Sequence, residues 1–130
     1  MEDSIFTKII RGEIPCHKVY EDEKVFAMLD INPLADGHTL VFPKKQVDLL
    51  WDLDEETYQY LFEKAREIAQ KIQTEMKPIR VGMVVEGFGV PHAHVHLVPL
   101  YDKNVLQLHH GYPVEKSVEN LARIAERLRG

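Results

Sequence analysis

Cysteine is nearly absent: Cys16 is the single one in 130 residues, so no internal disulfide framework can form, and the usage suits a reducing, cytoplasmic setting. No stretch is long and apolar enough to span a bilayer, so no membrane partner is expected. The opening Met1-Glu2-Asp3-Ser4 is acidic and lacks the basic and apolar regions of a secretory signal. Positive charge is in deficit, with 16 Lys and Arg against 21 Asp and Glu and a formal net charge of −5. Long nucleic acids want a basic face, so a nucleic-acid polymer is not an expected partner. A single nucleotide stays possible, because backbone N–H groups and imidazoles can hold one phosphate. Repeats, low-complexity tracts and linkers are also missing. At 45% hydrophobic and 28% charged, residues 1–130 are expected to form one domain with a core of moderate size.

Histidine is concentrated in one place. The stretch Pro91-His92-Ala93-His94-Val95-His96-Leu97-Val98-Pro99 sets three imidazoles at two-residue spacing, with small or branched apolar residues between them. Successive side chains of a β-strand point to opposite faces, so this spacing lines His92, His94 and His96 along one face. A solvated bystander accounts for one histidine far better than for three. Metal ligation is the sharper alternative, since imidazole is a common zinc ligand. At strand rise, His92 and His96 lie roughly 13 Å apart, too far for both to reach one ion easily. Two neighbours with help from elsewhere could share a metal. Acid–base or nucleophilic catalysis by a strand-mounted imidazole is the remaining reading.

Around that stretch the chain reads as α+β. Residues 4–11 predict a short helix, capped by Asp3 or Ser4, striped by Ile5, Phe6, Ile9 and Ile10, and ended by Gly12. Strands are expected at 17–21, 25–29 and 38–42, the last after the loop 30–37. A long helix is expected over 55–75, with Asp54 as cap and Pro78 beyond its end. Strands at 80–86 and 94–99 follow, joined by 87–91, and a last helix spans about 114–129 with Val118, Leu121, Ala122, Ala125 and Leu128 on one face. That order gives a five-stranded antiparallel sheet with one long and two shorter helices.

The His92–Val98 stretch resembles the signature of the histidine triad, or HIT, family of nucleotide hydrolases and transferases, in which histidines and hydrophobic residues alternate. Ile5–Pro15 resembles the family's opening helix, and Asp30-Ile31-Asn32-Pro33 and Gly37–Lys45 resemble its next two landmarks. The resemblance runs from about Ser4 to Val98. It implies a HIT-like α+β fold and a homodimer in which two sheets join. It also implies transfer of nucleoside monophosphate groups from P–N or P–O–P linked purine nucleotides, through a nucleotidyl-histidine. A nucleotide-binding regulatory module with little turnover is the alternative function.

By the same resemblance, His94 is the expected nucleophile, and splitting a displacement at phosphorus gives two easier steps. His96 is expected to contact phosphate oxygens or serve the leaving group. His38 is the family's fourth histidine, and His92 is expected to orient its neighbours. Asp30 matches a carboxylate that grips ribose hydroxyls, and Asn32 lies beside it. A turn aspartate before Asn-Pro would look the same. Ile5, Phe6, Ile9 and Ile31 match an apolar slot for the base, although ordinary core residues would too. Gly87, Gly89 and Val90 are expected beside the phosphate, where glycine permits close backbone approach.

Three departures from the family stand out. Ser4 and Thr7 occupy positions where many members place zinc-binding cysteines, and Gln46 stands where a further zinc ligand falls, so neither metal nor any other cofactor is expected. Glu86 replaces an asparagine that donates to phosphate; a carboxylate repels phosphate unless it is protonated or turned away. Val90-Pro91 replaces a serine or glutamine that assists the phosphate.

Overall fold

Alternation along the strands decides what each face of the sheet meets. In the computed structural model, which describes residues 2–103, 105–106 and 117–129, five antiparallel strands lie in the order β1-β2-β3-β5-β4. They are β1 (Lys18–Glu21), β2 (Val25–Leu29), β3 (Thr39–Pro43), β4 (Arg80–Val84) and β5 (Val95–Leu100). Three α-helices accompany them: α1 (Ile5–Ile10), α2 (Glu55–Met76) and α3 (Val118–Arg129). Val25, Ala27, Val41, Val95 and Leu97 face one way and pack on Leu61, Ala65, Ile68 and Ile72 of α2. The intervening Phe26, Met28, Leu40 and Phe42 face the other way and pack on Phe6 and Ile9 of α1. A two-residue period thus gives the sheet a helix on each face.

The long helix begins as the sequence predicts. The Asp54 carboxylate accepts the Thr57 N–H at 3.1 Å, and Glu55 and Glu56 sit at the positive end of the helix dipole. It ends at Lys77, in the left-handed region with φ 53°, just before Pro78. Tyr60 of α2 and Tyr20 of β1 both donate to the Asp22 carboxylate, at 2.5 and 2.6 Å, and tie the helix to the β1–β2 turn.

The structure departs from the sequence reading near the histidines. β4 stops at Val84 instead of reaching Glu86, and β5 starts at Val95, so only His96 of the three lies in a strand. Pro91 has no N–H to give a ladder, and the next two amides are diverted. The His92 N–H turns back to the Val90 carbonyl at 2.8 Å, and the Ala93 N–H reaches the Val47 carbonyl at 2.6 Å. A 3₁₀ turn at Leu50–Asp52, absent from the sequence reading, buries Leu50. The expected start of α3 at Val114 lies outside the described residues. Val118 and Ala122 of its expected apolar face are exposed, Ala125 is half-buried, and Leu121 and Leu128 lie outside the described side chains.

The loop between β2 and β3 closes on itself. Asp30 N–H donates to the His38 carbonyl at 2.9 Å, and His38 N–H donates to the Ala35 carbonyl at 3.1 Å. Gly37 makes this turn possible with φ +94°, and a Cβ there would meet Pro99 Cγ at 3.2 Å and Met76 Cγ at 3.3 Å. Gly37→Ala therefore combines backbone strain with a close contact, and should lower unfolding free energy by about 1–3 kcal/mol in urea titration.

Candidate functional site

On the α1 face of the sheet, four imidazoles are held by fixed partners. His94 Nδ1 lies 2.7 Å from the His92 carbonyl oxygen, which can only accept. The proton of neutral His94 therefore sits on Nδ1, and Nε2 keeps its lone pair. His92 is fully buried; its Nε2 donates to the Pro43 carbonyl at 2.7 Å, and its Nδ1 accepts from the Ser4 hydroxyl at 2.7 Å. A second chain starts at the Leu34 N–H, which donates to His38 Nδ1 at 3.0 Å. Neutral His38 thus carries its proton on Nε2 and donates it to His96 Nδ1 at 3.0 Å. His96 is left with its proton on Nε2, and that buried atom finds no partner among the described residues. A lone pair on His94 and a donor on His96 stand side by side, their ring centroids 5.0 Å apart.

Burial pushes the basicities of His38, His92 and His96 down, favouring the neutral rings this pattern needs. His94 also lowers His96 and His92, whereas the Asp30 carboxylate partly opposes the effect at His38 and His96. Asp30 serves two roles at once. One oxygen accepts the Asn32 N–H at 2.8 Å in a turn, and the other lies 3.5 Å from His38 Nε2.

A cleft of 360 Å³ opens in front of His94 and His96. The structure brings Ile5, Phe6, Ile9, Asp30, Ile31, Asn32, Glu86, Gly89 and Val90, all named in the sequence reading, together on its walls. Phe6 is central: it stacks on Phe42 at 4.4 Å and meets the His94 ring edge-on at 5.0 Å. Three expected residues stand elsewhere. Gly87, with φ +77°, is outside the lining; His92 lies behind the site, against Ser4, Phe6 and Phe42; and His38 backs His96. The sequence reading missed Ile14, Pro15, Cys16, Met28, Leu29 and Leu40, which complete the apolar wall. Met28 and Leu40 carried a signal, since each alternates onto the histidine face of its strand.

Glu86 is turned toward the site. A carboxylate oxygen lies within 4.8 Å of ring nitrogens of both His94 and His96. Asp30, His38 and His96 form a second such group. Two imidazoles and a carboxylate suit a divalent transition metal, but in the second group the facing nitrogens already share a hydrogen bond.

The helix–triad arrangement has known counterparts. A family model described as the HIT domain matches residues 11–103. The chain belongs to the HIT family. This HIT protein is 40% identical over 107 residues to Protein hit of Bacillus subtilis, covering 78% of this chain and 74% of that one. A crystal structure of a HIT-family member from Bacillus subtilis superposes with TM-score 0.81 at 34% identity, covering 98% and 96% of the two chains. Two further relatives carry activities in their names. Adenosine 5'-monophosphoramidase HNT1 of Candida albicans is 28% identical over 138 residues, 96% of this chain and 88% of its own. Adenylylsulfatase HINT3 of Arabidopsis thaliana is 32% identical over 109 residues, 80% of this chain and 55% of its own.

The positions at which the resemblance raises structural zinc converge in this HIT protein, but not as metal ligands. Thr7 Oγ1 and the Ser4 N–H both donate to Gln46 Oε1, at 2.6 and 2.8 Å. Ser4 Oγ also accepts the Thr7 N–H at 3.0 Å as helix cap while donating to His92. Two hydroxyls, an amide and an imidazole with both nitrogens engaged do not fit a zinc ion, which takes thiolates and free imidazole nitrogens.

Because His38, His92 and His96 titrate lower folded than unfolded, the unfolded chain binds protons first on acidification. Stability from these groups is fully present above the ordinary histidine value of about 6.5 and is lost as pH falls below it. Urea denaturation at stepped pH from 7 to 5 should show that decline, and His92→Gln should make it shallower.

Proposed function

We propose that this HIT protein transfers nucleoside monophosphate groups from P–N or P–O–P linked purine nucleotides to water, through a nucleotidyl-histidine on His94. One observation carries the reading: the His92 carbonyl pins the His94 proton on Nδ1, leaving an unprotonated Nε2 beside the buried Nε2–H of His96, which has no partner among the described residues. The names of the Candida and Arabidopsis relatives support the same class of chemistry.

His94 Nε2 supplies the pair for a new N–P bond while the bond from phosphorus to the leaving group breaks, its pair departing with that group. His96 Nε2–H donates to a non-bridging phosphate oxygen, where charge grows in the transition state. Water then attacks phosphorus, releasing a proton to solvent, and the N–P bond breaks, its pair returning to His94. Phe6, Ile9, Met28 and Leu40 sandwich the base, and Asp30 faces the ribose. Phe6 holds the His94 ring edge-on, so the nucleophile and the slot are positioned by one side chain.

His94→Ala should reduce AMP release from an adenosine phosphoramidate by at least roughly a thousandfold and leave the melting temperature nearly unchanged. Wild type quenched in alkaline detergent should carry an adenylyl group, labile to acid, that the variant lacks. Turnover retained in the variant would refute the nucleophile, and binding without turnover in wild type would favour a regulatory module.

The working unit of the proposal is a cytoplasmic homodimer joined along β4. No described strand pairs with the outer edge of β4, and Met83 and Val85 beside it are exposed. Such an edge is a template for a second copy. Sedimentation at micromolar concentration should give about twice the 15.1 kDa chain mass, and Met83→Lys should shift it toward monomer.

A further inference from the structure

The proton positions of the four imidazoles leave one chemical step without an acceptor. Once His94 Nε2 carries a nucleotidyl group, Nδ1 still holds its proton against the His92 carbonyl, so the ring has no lone pair to offer. His96 has its Nδ1 filled by the His38 proton and keeps its own proton on Nε2, while His38 Nδ1 is taken by the Leu34 N–H. His92 spends both nitrogens on Ser4 and Pro43. The water that must attack phosphorus therefore meets no imidazole able to take its proton. Three other titratable side chains line the cleft: Cys16, Asp30 and Glu86. Burial pushes the Cys16 thiol up, away from the thiolate. Asp30 is committed, one oxygen to the Asn32 amide and the other beside His38 Nε2. Glu86 is exposed, enters no hydrogen bond among the described residues, and sets a carboxylate oxygen within 4.8 Å of ring nitrogens of His94 and His96. We infer that Glu86 is the general base of the second step, taking a proton from the water that cleaves the nucleotidyl-histidine. The inference rests on the reading of His94 as the residue that attacks phosphorus.

The step balances with the groups present. Attack by neutral His94 leaves the ring bonded to phosphorus at Nε2 and protonated at Nδ1, and therefore positively charged. A water oxygen then forms the new O–P bond while one of its protons passes to the Glu86 carboxylate. The N–P bond breaks, its pair returns to His94 Nε2, and the ring is neutral again. The products are AMP and a protonated Glu86, which returns its proton to solvent. An attacking atom approaches phosphorus at roughly 3 Å, so a water aimed at phosphorus on His94 comes within hydrogen-bond reach of a carboxylate this close. The exposure of Glu86 serves the same step, because solvent can reload the site with water and carry the proton away. Exposure also weakens the repulsion between this carboxylate and the phosphate, which the cationic His94 ring offsets while the intermediate lasts. An asparagine in this place would donate to the phosphate but could accept no proton from water at neutral pH.

The test follows both steps separately in the full chain and its Glu86→Gln variant, with adenosine 5′-phosphoramidate as substrate and rapid quenching in alkaline detergent. Decay of the adenylyl group on His94 after substrate is removed should be about a hundredfold slower in the variant. Release of ammonia in the first turnover should change less than about threefold, so that the variant shows a burst and accumulates the adenylyl-enzyme. Azide attacks phosphorus without a proton to lose and needs no base. It should speed loss of the adenylyl group from the variant about tenfold, with adenosine 5′-phosphorazidate as product. Equal decay in the two proteins overturns the inference while leaving the nucleotidyl-histidine reading intact. A slower first turnover with no accumulated adenylyl-enzyme, or a slow decay that azide does not accelerate, also overturns it. If wild type releases no AMP, or neither protein is ever labelled on His94, the reading of His94 fails and the role of Glu86 falls with it.

Discussion

A single hydrogen bond, from His94 Nδ1 to the carbonyl of His92, is the constraint on which the site depends. An imidazole with its proton on the wrong nitrogen presents a donor where a lone pair is needed. The carbonyl removes that choice because it has nothing to donate. It can do so only if its own residue is immobile, and His92 is held from three directions. Its ring is gripped by Ser4 and by Pro43, its amide closes a turn to Val90, and the next amide is anchored on Val47. Helix α1, strand β3 and the 44–54 connection are thereby all recruited to set one proton.

The second constraint is electrostatic. Burial favours the neutral form of three imidazoles, yet two carboxylates stand beside the cluster. Burial outweighs the carboxylates at His38 and His96, so attraction between charges does not organise the cluster. What organises it is a directional relay of neutral donors and acceptors, from the Leu34 amide through His38 to His96. Such a relay fixes the proton positions without spending the desolvation energy that a buried ion pair would require.

Much of the fold was legible because it follows from local rules. The Asp54 cap, the stripe from Leu61 to Ile72 and the two-residue alternation along β2 and β3 each specify their element before any tertiary contact is known. The site was legible as a set of residues but not as an arrangement. Strict His-x-His-x-His spacing suggests one continuous strand face, yet the ladder breaks at His92 and Ala93 because their amides find Val90 and Val47. No periodicity in 91–99 records where Val47 will be. Ser4 and His92 are likewise 88 positions apart, so a residue read in sequence as a helix cap and a missing zinc ligand becomes a direct partner of the triad. Glycine gives the converse case: Gly87 and Gly89 look alike in sequence, and only Gly89 reaches the cleft wall.

The clasp of Ser4, Thr7, Gln46 and His92 has a consequence for how the protein matures. Each contact that orients His92 comes from the polypeptide itself, through hydroxyls, an amide and backbone groups. Thiolates bound to a metal can be oxidised or stripped, and their assembly is bimolecular, dependent on the local supply of ions. Hydroxyls and amides have no such vulnerability. The clasp around His92 is therefore complete once the chain has folded, and its assembly draws on no metal ion and no thiolate.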